Sequence, residues 1–187
     1  MNEVLKAIHD RRSTRGFSDV QLTEAELKAL IDAALAAPTA RNCQSWHFSV
    51  IQNQRLLDEF NRDLATLMAS KLPEGQRGRF EATDFHVFYH APTVIFISNP
   101  LECENRFATV DAGIAVENIA LAAQGMGLGS VIIGMPMDVF LTDKEAYYNR
   151  AFGIPEGYRF AIGIVIGHNT VTKEAHPIQE NKVTFIR

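Results

Sequence analysis

Apolar and polar residues along the first 40 positions have the spacing of two amphipathic helices. A short apolar stripe within residues 4–8 is long enough for about two helical turns. Thr23 and Glu26 have the spacing of a capping box, the reciprocal side-chain cap of a helix N-terminus. Apolar residues then continue at helical spacing as far as Pro38, which cannot sit inside a helix. The pattern therefore predicts a second amphipathic helix that ends before this proline.

The next part of the chain alternates between strand-like and helix-like segments. Residues 47–51 have the alternation of a strand, and Asn53 follows as the N-cap of a helix with an apolar face. Residues 72–80 are rich in Pro, Gly and charge, which is typical of a surface loop. Residues 94–97 form a continuous apolar run, which predicts a strand that is covered on both faces.

Residues 106–123 carry apolar side chains on nearly all sides of a helical projection. Such a pattern predicts a helix buried in the middle of the fold. Thr142 and Glu145 again have capping-box spacing, and residues 160–166 read as a long strand. The last residues, VTFIR, are strand-like. Since strands and helices alternate without repeats, two or three layers of helix and sheet are expected.

Composition indicates an ordinary globular protein of one domain, residues 1–187. The chain is 47% hydrophobic and 21% charged, and its net charge of -4 argues against a general nucleic-acid binder. Its two cysteines have no paired spacing, which favours a reducing, cytoplasmic location. The N-terminus lacks the apolar core of a signal peptide. Residues 118–137 are uncharged, but glycines and Pro136 interrupt them, so no membrane span is expected.

The stretch HDRRSTRGFSD places Arg11, Arg12 and Arg15 around Ser13. Guanidinium forks and a hydroxyl form a donor set that suits a phosphate monoester. A solvated basic patch after a helix C-terminus, where cations are favoured, is an equally good interpretation of these residues alone.

A second polar stretch, PTARNCQSWHF, leads from Pro38 through the single tryptophan into the predicted strand. The side chains of Asn42 and Gln44 can both donate and accept hydrogen bonds, as the edge of a heteroaromatic ring requires. Amides are also common turn residues, and Trp46 is equally well explained as a core anchor.

Three other motifs lack the sequence context that their chemistry requires. GMGLGSVIIG follows a helix and enters a strand, the reverse of a dinucleotide-binding turn, so its glycines are expected to end the helix. His86 and His90 have the spacing of a helical metal pair, but no third ligand is apparent and no metal site is expected. Cys43 has no histidine at a nucleophile's spacing, so we expect it to be buried as a small apolar side chain.

Four segments in this order and spacing resemble the nitroreductase family of FMN-dependent oxidoreductases. They are RRSTRGF, PTARNCQSWHF, DAGIAVENIALAAQGMGLGSVIIG and FAIGIVIGH, and they cover most of the chain. The resemblance implies an α+β fold of three layers, with a central antiparallel-rich sheet surrounded by helices. It also implies an intertwined homodimer with FMN at the interface.

The same resemblance assigns roles to individual residues. The segment with Arg11, Arg12 and Ser13 would hold the FMN phosphate and ribityl oxygens, and Arg15 would reach the pyrimidine side of the ring. Other flavin contacts would come from the loop of a second subunit and from backbone near N5, and the implied residues are Pro38, Thr39, Asn42, Gln44, Ile133 and Gly134. No catalytic side chain is expected because the flavin carries the chemistry. NAD(P)H and a small electron acceptor would react in turn at the flavin.

Two departures from the family pattern concern the flavin loop and the tail. The chain has Gln44-Ser45-Trp46 where members often show Q-P-W, and its tail lacks a Lys/Arg-rich stretch. Lys173, His176 and Lys182 are alternative substitutes at the phosphate. The terminal VTFI is expected to pair with the partner's sheet.

The expected function is electron transfer from NAD(P)H through FMN to nitroaromatics, quinones or similar electrophiles. Two alternatives stay open from the sequence. One is a specialised flavin chemistry, either dehalogenation or flavin cleavage. The other is a flavin-binding or sensing protein without turnover.

Overall fold

The computed structural model describes residues 2–102, 104–175 and 177–187, which leaves Cys103 and the candidate His176 outside the described part. The described chain forms seven α-helices and four strands. The helices are α1 (Glu3–Asp10), α2 (Glu24–Leu35), α3 (Gln54–Ser70), α4 (Gly78–Glu81), α5 (Ala108–Gly125), α6 (Met137–Phe140) and α7 (Glu145–Ala151). Short 3-10 turns lie at Ala40–Asn42, Glu74–Gln76 and Glu180–Lys182.

The strands form one antiparallel sheet in the order β1-β2-β4-β3. Their bounds are β1 (His47–Ile51), β2 (Thr93–Pro100), β3 (Gly129–Ile133) and β4 (Tyr158–Gly167). All three neighbouring pairs run antiparallel, with a register shift between Ile97 and Ser98 where β2 meets β4. In the described chain β1 and β3 are therefore the two edges of the sheet.

Helices cover both faces of the sheet, which gives the three layers expected. One core lies between the sheet and α3, α6 and α7, and it is centred on an aromatic cluster of Phe60, Phe96, Phe140, Tyr148, Phe152 and Phe160. The other core lies between the sheet and α2 and α5. Strand β2 serves both, because Val94 and Phe96 face the first core and Ile95 and Ile97 face the second. The α+β class is confirmed.

The two predicted capping boxes have opposite outcomes. At α2, Thr23 Oγ1 accepts from the Glu26 N–H at 3.2 Å, and the Glu26 carboxylate accepts from the Thr23 N–H at 2.7 Å. The box predicted at Thr142 is wrong, since α7 begins only at Glu145. The Thr142 hydroxyl donates instead to the Val139 carbonyl at 2.7 Å and belongs to the end of α6.

Helix α5 is buried on one side only, which corrects the prediction of a helix enclosed by the fold. Its inner face, which includes Ala115 and Ile119, is completely buried. On its outer side Val110 is 58% exposed and Ile114 36% exposed. The described residues therefore leave this apolar outer face uncovered, and the face explains why the sequence pattern is apolar on all sides of the helix. Residues 183–187 form no strand within the described chain, and their expected pairing with a partner's sheet stays a prediction.

Candidate functional site

The predicted arginine segment runs along the β3 edge of the sheet. Helix α1 ends at Asp10, and the chain then extends so that Ser13 forms a parallel bridge with Ser130 of β3. The Thr14 N–H donates to the Ser130 carbonyl at 2.8 Å, and the Ser18 N–H donates to the His168 carbonyl at 2.9 Å. Backbone pairing at both ends thus holds the segment against β3 and the end of β4.

The three guanidinium groups of this segment have different partners. Arg11 Nε lies 3.3 Å from Glu117 Oε1 of α5, and both side chains are partly exposed. Arg12 donates to the carbonyls of His9 and Arg11, while its Nε is buried without a hydrogen-bond partner among the described residues. Arg15 is exposed, and its Nε donates to the Tyr89 hydroxyl at 3.2 Å. The segment therefore presents a positive surface, on which Glu117 is the one carboxylate of the described chain that forms an ion pair with these arginines.

A tail lysine joins this surface. Lys173 lines a groove of about 220 Å³ together with Arg12, Thr14, Gly129 and Asn169, and the Asp10 carboxylate lines the same groove. Lys182 is exposed in the 3-10 turn Glu180–Lys182 and is not among the residues of this groove. Of the two tail candidates in the described chain, Lys173 is the one placed beside Arg12.

The loop after α2 carries the predicted amides in a strained backbone. Asn42 and Gln44 have φ of 54° and 46°, in the left-handed region that non-glycine residues rarely adopt. Gln44 Nε2 donates to Asn42 Oδ1 at 3.0 Å, and the Gln44 N–H donates to Thr39 Oγ1 at 3.1 Å. Both amides are exposed, so each keeps further donors or acceptors free for a ligand. Cys43 is also exposed, which corrects the expectation of a buried thiol, because the left-handed turn carries this loop to the surface.

Asp111 anchors the loop, and sequence reasoning missed it. This carboxylate in the first turn of α5 is only 3% exposed. It accepts from the Ala40 N–H at 3.1 and 3.3 Å and from Asn105 Nδ2 at 2.7 Å. The signal was a carboxylate in the first turn of a largely apolar helix, since such a group has to be paired when it is buried.

The predicted backbone contact lies where β3 ends. Ile133 is buried and pairs with Gly163 of β4, while Gly134 is exposed just beyond the strand. A Cβ on Gly134 would meet nothing closer than Ile162 Cδ1 at 3.9 Å, so the chain itself does not require a glycine there. The missing side chain leaves peptide groups open to close approach by a flat ligand.

Within one chain these residues form two separate groups. Ser13 lies opposite Ser130, and Ile133 follows three residues later along β3, a separation of about 10 Å. The amide loop instead enters β1 at the other edge of the sheet, three inter-strand spacings or roughly 14 Å away. The structure brings the arginines and Gly134 to one edge and leaves Asn42 and Gln44 at the other.

The glycine-rich stretch after α5 and the pair His86 and His90 have structural explanations. Gly127, with φ of 76°, follows α5, and the Leu128 N–H returns to the Ala123 carbonyl, so the glycines do end the helix. His86 lies in a non-helical segment and uses both ring nitrogens, with Nδ1 accepting from the Phe88 N–H and Nε2 lying 3.2 Å from Asp58 Oδ1. In the described ranges no three His, Cys, Asp or Glu side chains cluster as metal ligands.

Across residues 2–102, 104–175 and 177–187, none of the helices has both the length and the apolarity needed to cross a bilayer.

Comparison with known proteins places this geometry among flavoproteins. Residues 8–168 match the model of the nitroreductase family. The chain is 29% identical over 183 residues to the NADPH-flavin oxidoreductase of Vibrio harveyi, covering 95% of this chain and 70% of that protein. It is 30% identical over 177 residues to a Bacillus subtilis FMN reductase that uses NAD(P)H, covering 90% and 66%.

Solved structures agree over the whole chain. A nitroreductase with bound FMN from Desulfitobacterium hafniense superposes with a TM-score of 0.91 at 30% identity, covering 100% of both chains. A nitroreductase with bound FMN from Bacteroides fragilis superposes with a TM-score of 0.90 at 26% identity, again covering 100% of both chains.

Proposed function

Because this chain belongs to the nitroreductase family, we propose that it passes electrons from NAD(P)H through FMN to a nitroaromatic, quinone or similar electrophilic acceptor. Its relatives are named as NAD(P)H-dependent flavin or FMN reductases, and its solved neighbours hold FMN. The protein is accordingly an NAD(P)H-dependent FMN oxidoreductase. We propose four further points: the class of acceptor, the residues that contact the flavin, the second subunit, and a single FMN-binding domain over residues 1–187.

The observation that carries the proposal is the positive surface beside an open backbone at one sheet edge. Arg11, Arg12 and Ser13 would bind the FMN phosphate and ribityl oxygens, with Lys173 of the adjacent groove as a fourth donor. The partly exposed ion pair between Arg11 and Glu117 contributes about 1 kcal/mol at most, so a phosphate can displace the Glu117 carboxylate from Arg11. Arginine forks and a lysine fit a doubly charged phosphate monoester.

An extended ribityl chain on a phosphate bound there would run along β3 toward Ile133 and Gly134. FMN, when bound, supplies the two-electron redox chemistry that the side chains of this chain lack. The open backbone at Gly134 lets peptide groups lie against the ring and orient it. Arg15 would face the pyrimidine edge, where its fixed positive charge stabilises negative charge and raises the reduction potential.

A second copy of the chain completes the site. The loop residues Pro38, Thr39, Asn42 and Gln44 lead into β1, at the opposite edge of the sheet from the arginines of their own chain. We propose that they contact the flavin of the partner. The outer face of α5 supports such a dimer, since Phe107, Val110 and Ile114 are exposed at helical spacing. The apolar tail, in which Phe185 is 76% exposed, would pair with the partner's sheet.

Donor and acceptor would use the same exposed face of the ring in turn. Because one product leaves before the next substrate binds, this arrangement gives ping-pong kinetics. Parallel lines in double-reciprocal plots of NAD(P)H oxidation at several acceptor concentrations are the expected result. Intersecting lines would show that both substrates bind together and would contradict this part of the proposal.

The flavin assignment is tested by the absorption spectrum of the purified protein and by acid release of its chromophore. We expect a yellow protein that releases FMN at about one per chain and oxidises NAD(P)H steadily with a quinone acceptor. A protein that neither carries FMN nor takes up added FMN would refute the proposal. A protein that holds FMN without turnover would be a flavin-binding module instead.

Substitutions locate the phosphate site. Arg11→Ala and Arg15→Ala each remove a charge-assisted contact worth about 1.5 to 3 kcal/mol, so FMN affinity should fall roughly tenfold or more. Arg150→Ala is the matched control, because this exposed arginine lies on α7 outside the proposed site. Equal FMN affinity in all three variants and the parent would show that the arginine segment is not the site.

A further inference from the structure

The turn at residues 89 and 90 has an unusual backbone for the residues that occupy it. Tyr89 and His90 both have φ of 54°, in the left-handed region that glycine adopts freely and tyrosine does not. Two successive residues of this kind are strained, and such strain concentrates at positions where the side chain has a function. The strain therefore makes the Tyr89 side chain a candidate for a specific role.

The surrounding structure fixes this turn firmly. Asn61 of α3 is 8% exposed and bonds both ends of the preceding segment, accepting from the Val87 N–H at 2.8 Å and donating to the Phe85 carbonyl at 3.0 Å. The Tyr89 N–H then donates to the His86 carbonyl at 2.9 Å. A turn held from both sides keeps its side chains in set directions despite the strain.

Tyr89 points at the arginine proposed for the pyrimidine edge of the flavin. Arg15 Nε donates to the Tyr89 hydroxyl at 3.2 Å, and Arg15 Cζ lies 5.8 Å from the Tyr89 ring centroid. Arg15 Nη1 also lies 3.3 Å from the Ser13 carbonyl. Arg15 is exposed and has a long flexible side chain, so without these contacts its guanidinium would sample many positions.

We propose that Tyr89 is a positioning residue that holds the Arg15 guanidinium in a fixed place beside the flavin. The inference rests on the proposed function, because it takes Arg15 as the residue at the pyrimidine edge. The Tyr89 hydroxyl binds Nε and the Ser13 carbonyl binds Nη1, and these two contacts together set the orientation of the guanidinium. A guanidinium that is already fixed in the ligand-free protein loses less conformational freedom when FMN binds. The same charge then contributes more to the affinity for FMN and to its reduction potential.

Tyr89 also packs at the rim of the first core, so the test has to separate positioning from stability. Tyr89→Phe keeps the ring and removes the hydroxyl, whereas Tyr89→Ala removes both. His90→Ala is the matched control, since His90 shares the turn and its φ, and its ring lies against His86 at 4.3 Å, away from Arg15. Thermal unfolding of each variant reports any loss of fold.

The first measurement is FMN affinity by fluorescence titration. We expect binding to weaken roughly threefold in Tyr89→Phe and about tenfold in Tyr89→Ala, with His90→Ala equal to the parent. In an Arg15→Gln background, Tyr89→Phe should have no further effect, because a positioning residue acts only through the residue it positions. Additive losses would overturn the inference.

The second measurement is the two-electron midpoint potential of the bound FMN. A loosely held Arg15 stabilises the reduced form less, so Tyr89→Phe should have a lower potential than the parent, by about 30 mV for each tenfold loss of preference for the reduced form. A purely structural role for Tyr89 would leave the potential unchanged and would overturn the inference.

The outcomes distinguish this inference from the proposed function. If Arg15→Gln weakens FMN binding while Tyr89→Phe changes neither affinity nor potential, the role of Tyr89 is wrong and the flavin site stands. If Arg15→Gln binds FMN as tightly as the parent, the assignment of Arg15 in the proposed function is wrong, and the role of Tyr89 falls with it.

Discussion

Asp111 gives the sharpest prediction because it connects the stability of the fold to the geometry of the amide loop. Its buried carboxylate bonds the Ala40 N–H at 3.1 and 3.3 Å and Asn105 Nδ2 at 2.7 Å. Asp111→Asn keeps the shape of the side chain but replaces one acceptor oxygen with a donor group. At least one of the two donors then meets an N–H instead of an oxygen.

The expected cost follows from burial and charge. A buried donor that loses its acceptor costs about 1 to 3 kcal/mol, and the loss of a negative charge in the first turn of α5 adds about 0.3 to 1 kcal/mol. We therefore expect Asp111→Asn to lower the free energy of unfolding by roughly 2 to 3 kcal/mol. Asp111→Ala removes both acceptors and leaves a cavity, so about 3 to 5 kcal/mol is expected.

Urea unfolding followed by circular dichroism measures this loss, and FMN titration measures its effect on the loop. Asp143→Asn is the matched control, since Asp143 is exposed and should change stability by less than about 0.5 kcal/mol. The loop that carries Asn42 and Gln44 should also hold FMN more weakly in Asp111→Asn. Stability within about 0.5 kcal/mol of the parent would refute the assignment of Asp111 as the anchor of the loop.

Three further predictions concern the core. Gly163→Ala would place a Cβ 2.9 Å from Phe96 Cδ1 in the packed aromatic cluster, so urea unfolding should show that the free energy of unfolding falls by about 1 to 3 kcal/mol. Gly75→Ala is the control and should leave stability unchanged, because a Cβ there meets nothing within 4 Å. Burial, and then the neighbouring His90, hold the pKa of His86 below its ordinary 6.5. The unfolded chain therefore binds a proton that the native state resists, and stability should fall as pH drops below 6.5. The loss should be smaller in His86→Gln, and parallel curves for parent and variant would contradict this. Tyr148→Phe removes a buried hydroxyl that donates to Asp63 at 2.6 Å, so the free energy of unfolding should fall by about 1 to 2 kcal/mol. Tyr147→Phe is the control, since its hydroxyl donates to Glu59 at an exposed site and its loss should cost less than about 0.5 kcal/mol. Equal losses of stability in the two variants would contradict the role of burial.

Local signals in the sequence predicted those parts of the fold that depend on neighbouring residues. The capping box at Thr23 formed because both its members lie within one turn, and β2 was recognised because a strand with helices on both sides must be apolar throughout. The box at Thr142 failed because its hydroxyl oxygen accepts from the Lys144 N–H at 3.2 Å and not from the Glu145 N–H. Spacing alone does not report such competition.

The site depends on contacts that sequence spacing does not encode. Ala40 and Asp111 are 71 residues apart, and only the folded chain brings them together. Arg15 and Tyr89 are 74 residues apart, so the partner of that arginine was likewise beyond local reasoning. The exposed half of α5 was misread for a related reason, since apolar residues look the same whether their own chain or a second chain covers them.

The central claim, that each flavin site is shared between two copies of the chain, can be tested by subunit complementation. Chains with Arg11→Ala and chains with Gln44→Ala are refolded together and titrated with FMN. If the sites are shared, half of the dimers are mixed and each contains one intact site, so tight binding should return at about one FMN for every four chains. If all the flavin contacts come from a single chain, every site keeps one defect, and the mixture will bind FMN no more tightly than the two variants do separately.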